Sequence, residues 1–133
     1  MIVRRAECSC GRLSAVCTGE PVRVSICHCL ACKRRSGSAF SYGAHFREEQ
    51  VVVNGDATEF MRIGDEGGRL VFSFCPLCGA NVFYRNSGVP GVVSVAVGGF
   101  ADPAFPPPTR SVYHQSRGHR WLEIRTEPLE KRG

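Results

Sequence analysis

The chain has 133 residues, a formal net charge of +5 and eight cysteines, a size that supports one domain over residues 1–133 and leaves little room for a second. Its longest apolar run, Val92 to Val97, is broken by Ser94 and falls far short of the roughly 18 residues a membrane helix needs, which excludes a helical membrane span. The positive charge is too modest and too spread for a typical nucleic-acid footprint, so nucleic acid is not an expected partner, although an anionic small ligand would suit it.

Met1-Ile2-Val3-Arg4-Arg5 leads to Cys8 without the apolar stretch of a secretory leader. The cysteines are therefore expected to be reduced thiols in a cytoplasmic protein. Beyond this segment, short runs of β-branched and aromatic residues alternate with Gly, Pro, Asn and Asp, the pattern of a mostly β domain with many turns. In chain order the runs predict strands at Leu13–Thr18, Val22–Ile26, Ser41–Phe46, Val51–Val53, Thr58–Ile63, Leu70–Phe74, Asn81–Tyr84, Val92–Val97 and Trp121–Arg125. Asn54-Gly55 and Gly67-Gly68 fall between such runs and read as hairpin turns. Four prolines between Asp102 and Pro108 stop any helix or central strand, so this segment is expected to cross the surface as an extended loop joining the last two strands. Helical periodicity is scarce.

The cysteines come in clusters. Cys75-Pro76-Leu77-Cys78-Gly79 has the form of a zinc knuckle: two thiols two residues apart on a turn, with a glycine that lets the chain swing away after the second. A knuckle supplies half a tetrahedron, and Cys8-Ser9-Cys10-Gly11 offers another pair. The middle cluster, Cys27-His28-Cys29-Leu30-Ala31-Cys32, packs three thiols into six residues. If these bind their own ion, a fourth position stays open for water, substrate or a distant residue, as in catalytic zinc sites. Three thiolates make zinc a weak Lewis acid toward water and a better platform for an incoming thiolate. Spacing also permits a second partition, with Cys29 and Cys32 joining Cys75 and Cys78 at one ribbon-type site. A redox role for Cys29 and Cys32 would need a βαβ context that is missing. Cys17 stands apart within an alternating run and reads as a buried core thiol.

The segments from Cys8-Ser9-Cys10-Gly11 through Cys27-His28-Cys29-Leu30-Ala31-Cys32-Lys33-Arg34-Arg35-Ser36-Gly37-Ser38 to Phe74-Cys75-Pro76-Leu77-Cys78-Gly79, with Gly98-Gly99-Phe100-Ala101-Asp102 and Trp121 as a closing segment, resemble the glutathione-dependent formaldehyde-activating family, which includes centromere protein V. The resemblance implies a β-tent fold, bent antiparallel sheets pinned by a structural zinc on Cys8, Cys10, Cys75 and Cys78. It implies a second, labile catalytic zinc on Cys27, Cys29 and Cys32, and a carbon-sulfur lyase joining a small thiol such as glutathione to formaldehyde. The alternative it leaves is a non-catalytic zinc module that binds a protein or nucleic acid. Two positions depart from the family's commoner pattern, Ala80 after the knuckle and His119-Arg120 before Trp121, and neither is a proposed ligand.

Around the middle cluster, Arg34 or Arg35 is expected to pair with a substrate carboxylate, and the Ser36 to Phe40 segment, Ser38 included, to approach a bound anion or else merely close a turn. His28 is a possible fourth ligand, whereas His45, His114 and His119 are single histidines with no ligand pattern around them. Phe40, Phe46, Phe72, Phe74 and Phe83 are expected to fill the core, with Phe40 alternatively lining a pocket.

Overall fold

The computed structural model describes residues 1–133. Its strands are β1 (Val3–Glu7), β2 (Ser14–Thr18), β3 (Arg23–Cys27), β4 (Ser41–Arg47), β5 (Val51–Asn54), β6 (Thr58–Ile63), β7 (Arg69–Phe74), β8 (Asn81–Asn86), β9 (Val92–Ala96), β10 (Arg110–Val112) and β11 (Glu130–Arg132). Two short α-helices, α1 (Leu30–Ser36) and α2 (His114–Arg117), and two 3-10 turns, Glu48–Gln50 and Val97–Phe100, complete it. β1, β2 and β5 form a three-stranded antiparallel sheet in the order β1-β2-β5. The other eight strands form a bent sheet in the order β11-β10-β3-β4-β9-β8-β7-β6, antiparallel except where β10 lies parallel to both β3 and β11. This is the mostly β architecture expected. No helix is long and apolar enough to cross a membrane.

The core lies between the two sheets. Ala6, Leu13, Ala15 and Cys17 come from the small sheet and its turn, and Val24, Ala44, Phe46, Val82, Val93 and Val95 from the large one. Alternation decides which side chains enter: in β4, Ala44 and Phe46 are buried between partly exposed Gly43, His45 and exposed Arg47. Burying a side chain such as Phe46 contributes about 1.5–3 kcal/mol. Phe72 and Phe83 are buried as well, whereas Phe40 and Phe74 are only partly so. At the far edge β6 is exposed on both faces, with Phe60, Met61 and Ile63 each more than half accessible.

Several boundaries differ from the sequence expectation. Gly67-Gly68 does close the β6–β7 hairpin, through Gly67 N–H and Gly64 C=O at 3.0 Å. Asn54-Gly55 does not make a hairpin, because β5 pairs with β2 while β6 pairs with β7, so the chain changes sheets there. Trp121–Arg125 is not a strand and Trp121 is exposed; the sheet is completed instead by β10 and β11, each three residues long. The segment from Asp102 to Pro108 leads from β9 to β10 and is tied inward: Phe105 is buried, and the Tyr42 hydroxyl donates to the Pro106 carbonyl at 2.6 Å. Helix α1 was invisible to periodicity because it is only about two turns long with only Cys32 buried. Its ends carry its signals: Cys29 caps the start by accepting from Cys32 N–H at 3.3 Å, and Gly37 ends it in the left-handed region, φ 65°.

The sheet switch has a steric requirement. Gly55 has φ 96°, and a Cβ there would lie 1.9 Å from the Arg12 carbonyl oxygen. Gly55→Ala is expected to lose at least about 3 kcal/mol in urea unfolding, whereas Gly37→Ala, also at positive φ but facing open space, should lose only about 1 kcal/mol. Equal losses would mean that the backbone at Gly55 can move aside.

Candidate metal centres

All eight cysteines are free thiols, and seven of them gather into two groups. Cys8 and Cys10 sit on the turn after β1, and Cys75 and Cys78 on the turn between β7 and β8, so this set ties the small sheet to the large one. Its four sulfurs lie within 4.8 Å of one another, with Cys8–Cys10 and Cys10–Cys75 both at 3.6 Å. A tetrahedron with zinc–sulfur bonds of about 2.3 Å has edges of about 3.8 Å, so the spacing fits zinc. The main chain is arranged to support negative sulfur: Leu13 N–H donates to Cys8 Sγ at 3.2 Å, and Leu77 and Cys78 N–H donate to Cys75 Sγ at 3.4 and 3.5 Å. Backbone N–H groups of Ala80 and Cys10 bring the Cys78 thiol down to about 6.

The second group is Cys27 at the end of β3, Cys29 capping α1 and Cys32 in its first turn, again with sulfurs within 4.8 Å of one another. Cys29 and Cys32 are thus grouped with Cys27 and not with the knuckle. A hydrogen bond from the Cys27 thiol, with further help from Ser41, Cys29 and the Arg35 charge, holds Cys32 near 4 against its burial, while Cys27 is raised. Both clusters could hold metal ions, and their all-sulfur donor sets suit zinc.

His28 is not part of either group. It is fully buried, with Nε2 3.1 Å from Ser111 Oγ and 3.2 Å from His114 Nδ1, and its ring against Phe40. Its Nδ1 has no hydrogen-bond partner. Cys17 is buried in the core, where burial raises its thiol to about 11. His119 is exposed beside Trp121.

The three-thiol group opens onto a cleft of about 1530 Å³ lined by Cys27, Cys29, Cys32, Arg35, Phe72 and Tyr84, among others. Ser38 and Phe40 also border it, while Arg34 is exposed and does not. Phe72 and Tyr84 in this lining belong to a row that sequence reading missed, because it is assembled by register across five strands. Phe60, Phe72, Tyr84, Ser94 and His45 are successive cross-strand partners from β6 to β4. At the end of the row His45 bridges two hydroxyls, Nδ1 to Ser94 Oγ at 2.6 Å and Nε2 to Ser25 Oγ at 2.7 Å. Burial, reinforced by the Arg23 and Arg110 charges, depresses His45 to about 4 from 6.5.

That depression has a pH consequence. Between about pH 6.5 and 4 the unfolded chain binds a proton at this position that the folded chain refuses, so the stability it contributes is complete above pH 6.5 and is lost as pH falls toward 4, by up to about 3 kcal/mol. Urea midpoints should therefore fall less steeply from pH 7 to pH 5 in His45→Gln than in the parent protein. Parallel slopes would show that the folded protein protonates His45 normally.

A family model described as glutathione-dependent formaldehyde-activating enzyme matches residues 3–116. The crystal structure of a Rhodobacter sphaeroides protein superposes with a TM-score of 0.57 at 20% sequence identity, over 77% of this chain and 91% of that one. This likeness speaks for the fold. Comparison with curated protein sequences gives no match.

Proposed function

The chain belongs to the glutathione-dependent formaldehyde-activating enzyme family, and from that premise we propose that its three-thiol cluster is the site at which a small thiol, glutathione or a close analogue, is joined to an aldehyde. In the forward direction the substrate sulfur gives up its proton and attacks the carbonyl carbon. A carbon–sulfur bond forms, the carbonyl π pair moves to oxygen, and that oxygen takes a proton to give an S-hydroxymethyl product; the reverse is a carbon-sulfur lyase reaction. Zinc held by Cys27, Cys29 and Cys32 would lower the proton affinity of the substrate sulfur, and zinc on Cys8, Cys10, Cys75 and Cys78 would be structural.

The observation that carries this reading is the contrast between the clusters: four converging thiols at one, three at the other, with no histidine or further cysteine grouped beside the three and a cleft directly against them. Arg35 stands at this cleft with Nη2 3.9 Å from Cys32 Sγ; it offsets thiolate charge and meets a substrate carboxylate. Hydroxyls of Ser41 and Tyr84 border the same space and serve the oxygen that gains charge.

The test is the rate of S-hydroxymethyl adduct formation, followed by exchange NMR with zinc-loaded protein, glutathione and formaldehyde. Acceleration well above the spontaneous rate, abolished by a chelator and restored by zinc, is the expected result. A rate equal to the spontaneous one with both sites loaded would leave a zinc module that binds a partner.

A further inference from the structure

Two arginines from different elements converge on one ring of the cleft wall. Arg35, in the last turn of α1, places its guanidinium carbon 4.6 Å from the centroid of Phe72 and 5.4 Å from that of Tyr84. Arg62, on β6, places its own 5.4 Å from the same Phe72 centroid. Both residues are partly buried and both border the cleft. The ring accounts for their stacking, and Arg35 also meets the Cys32 sulfur, Nη2 to Sγ at 3.9 Å, but a ring face alone is a weak counterpart for the Arg62 charge.

No carboxylate balances them. Seven arginines, Arg4, Arg5, Arg85, Arg110, Arg117, Arg125 and Arg132, make ion pairs, and neither Arg35 nor Arg62 is among them. Arg35 Nε is buried with no hydrogen-bond partner, a donor that ordinarily costs stability unless something accepts from it. The acid nearest in sequence to Arg62 that borders the cleft, Asp65, is engaged elsewhere: Arg117 Nη1 lies 3.6 Å from its Oδ2, and the Tyr113 hydroxyl donates to it at 3.4 Å. The hairpin carrying Arg62 is thereby fastened across the cleft with its own acid occupied.

We propose that Arg35 and Arg62 form a two-guanidinium subsite over Phe72 for a carboxylate of the substrate, with Arg62 the residue that selects acidic thiols. This rests on the three-thiol cluster receiving the substrate sulfur. Arg35 reaches Cys32 on one side and the Phe72 ring on the other, so a molecule with sulfur at the thiols extends its acid toward Arg62. Guanidinium forks suit a carboxylate because each can donate two parallel hydrogen bonds. A neutral thiol of similar size would leave the Arg62 charge without a partner, and the site discriminates against it accordingly.

The test uses zinc-loaded full-length protein and calorimetric titration with two probes, S-methylglutathione, which has no thiol proton to lose, and glutarate, which has no sulfur. Arg62→Met is compared with Arg69→Met, which removes the same charge from the same hairpin at an exposed position outside the cleft. Arg62→Met should weaken S-methylglutathione binding at least tenfold, Arg69→Met less than twofold, and Arg62→Lys should recover part of the loss. In kinetics, the ratio of kcat/KM for glutathione to that for 2-mercaptoethanol should fall at least fivefold in Arg62→Met. If glutarate binds in an Arg62-dependent way while S-methylglutathione does not bind, the carboxylate subsite stands and the glutathione reading fails. Equal affinity of Arg62→Met and Arg69→Met for both probes, or no binding of either probe to the parent protein, would overturn the subsite.

Discussion

Cys75→Ser is expected to yield a chain that does not fold stably at 25 °C, with soluble yield lost and the cooperative thermal transition abolished or lowered by more than 15 °C. Cys75 is buried, accepts two backbone N–H groups, and lies 3.6 Å from the Cys10 sulfur across the junction of the two sheets. Structural zinc on four thiolates contributes apparent free energies of about 10–16 kcal/mol in small zinc domains, comparable with the entire stability of an ordinary domain, about 5–15 kcal/mol. A three-ligand remnant in a serine variant holds metal far less well, and the Leu77 and Cys78 amides lose a charged acceptor. The measurement is circular dichroism melting with zinc content by atomic emission. A variant that melts within a few degrees of the parent while lacking one zinc would show that the sheets hold together through their apolar core alone.

The second large effect is expected at Cys29, with the opposite division between folding and activity. Cys29→Ala should remain folded, lose one of two zincs, and lower adduct formation at least about 100-fold, since disturbing even the supporting shell of a zinc site costs 10- to 100-fold. Its cost in stability should be about 1 kcal/mol, because Cys29 also caps α1 by accepting from Cys32 N–H. Cys29→Ser separates the two roles: a hydroxyl restores the cap but binds zinc poorly, so stability should return while activity does not. Activity within threefold of the parent in both variants would remove the three-thiol cluster from the reaction. Unfolding of both variants would instead give that cluster a structural role like the other's.

What could be read from the sequence was what is local to it. The knuckle at Cys75 to Cys78, the pair at Cys8 and Cys10 and the triplet at Cys27 to Cys32 are each encoded within six residues, and strands such as Thr58–Ile63 announce themselves by composition over a similar span. Which cluster Cys29 and Cys32 join is a tertiary matter that spacing left open. The Tyr84, Ser94 and His45 row was illegible for the same reason, since each residue sits in an unremarkable strand and only register brings them together. Arg62 carried no signal of its own within the strand Thr58–Ile63, although Arg35 was already suspect from its nearness to Cys32. Trp121 misled in the other direction: an aromatic followed by Leu and Ile suggested a strand, but β10 and β11 occupy the edge with three residues each, too few to leave a pattern.

The two margins of the large sheet are unlike. On one side β11 ends it with Glu130, Lys131 and Arg132, all exposed, a short charged border that discourages further pairing. On the other, β6 pairs with β7 along one side and leaves its outer edge without a neighbour, with Phe60, Met61 and Ile63 in solvent, tempered only by Glu59 and Arg62. Growth through this sheet therefore has a single sticky end. Two molecules that met along β6 would consume that end in each other, by a twofold axis, and would have nothing left to extend. A pair joined along this margin would place the hairpin that carries Arg62 at its seam.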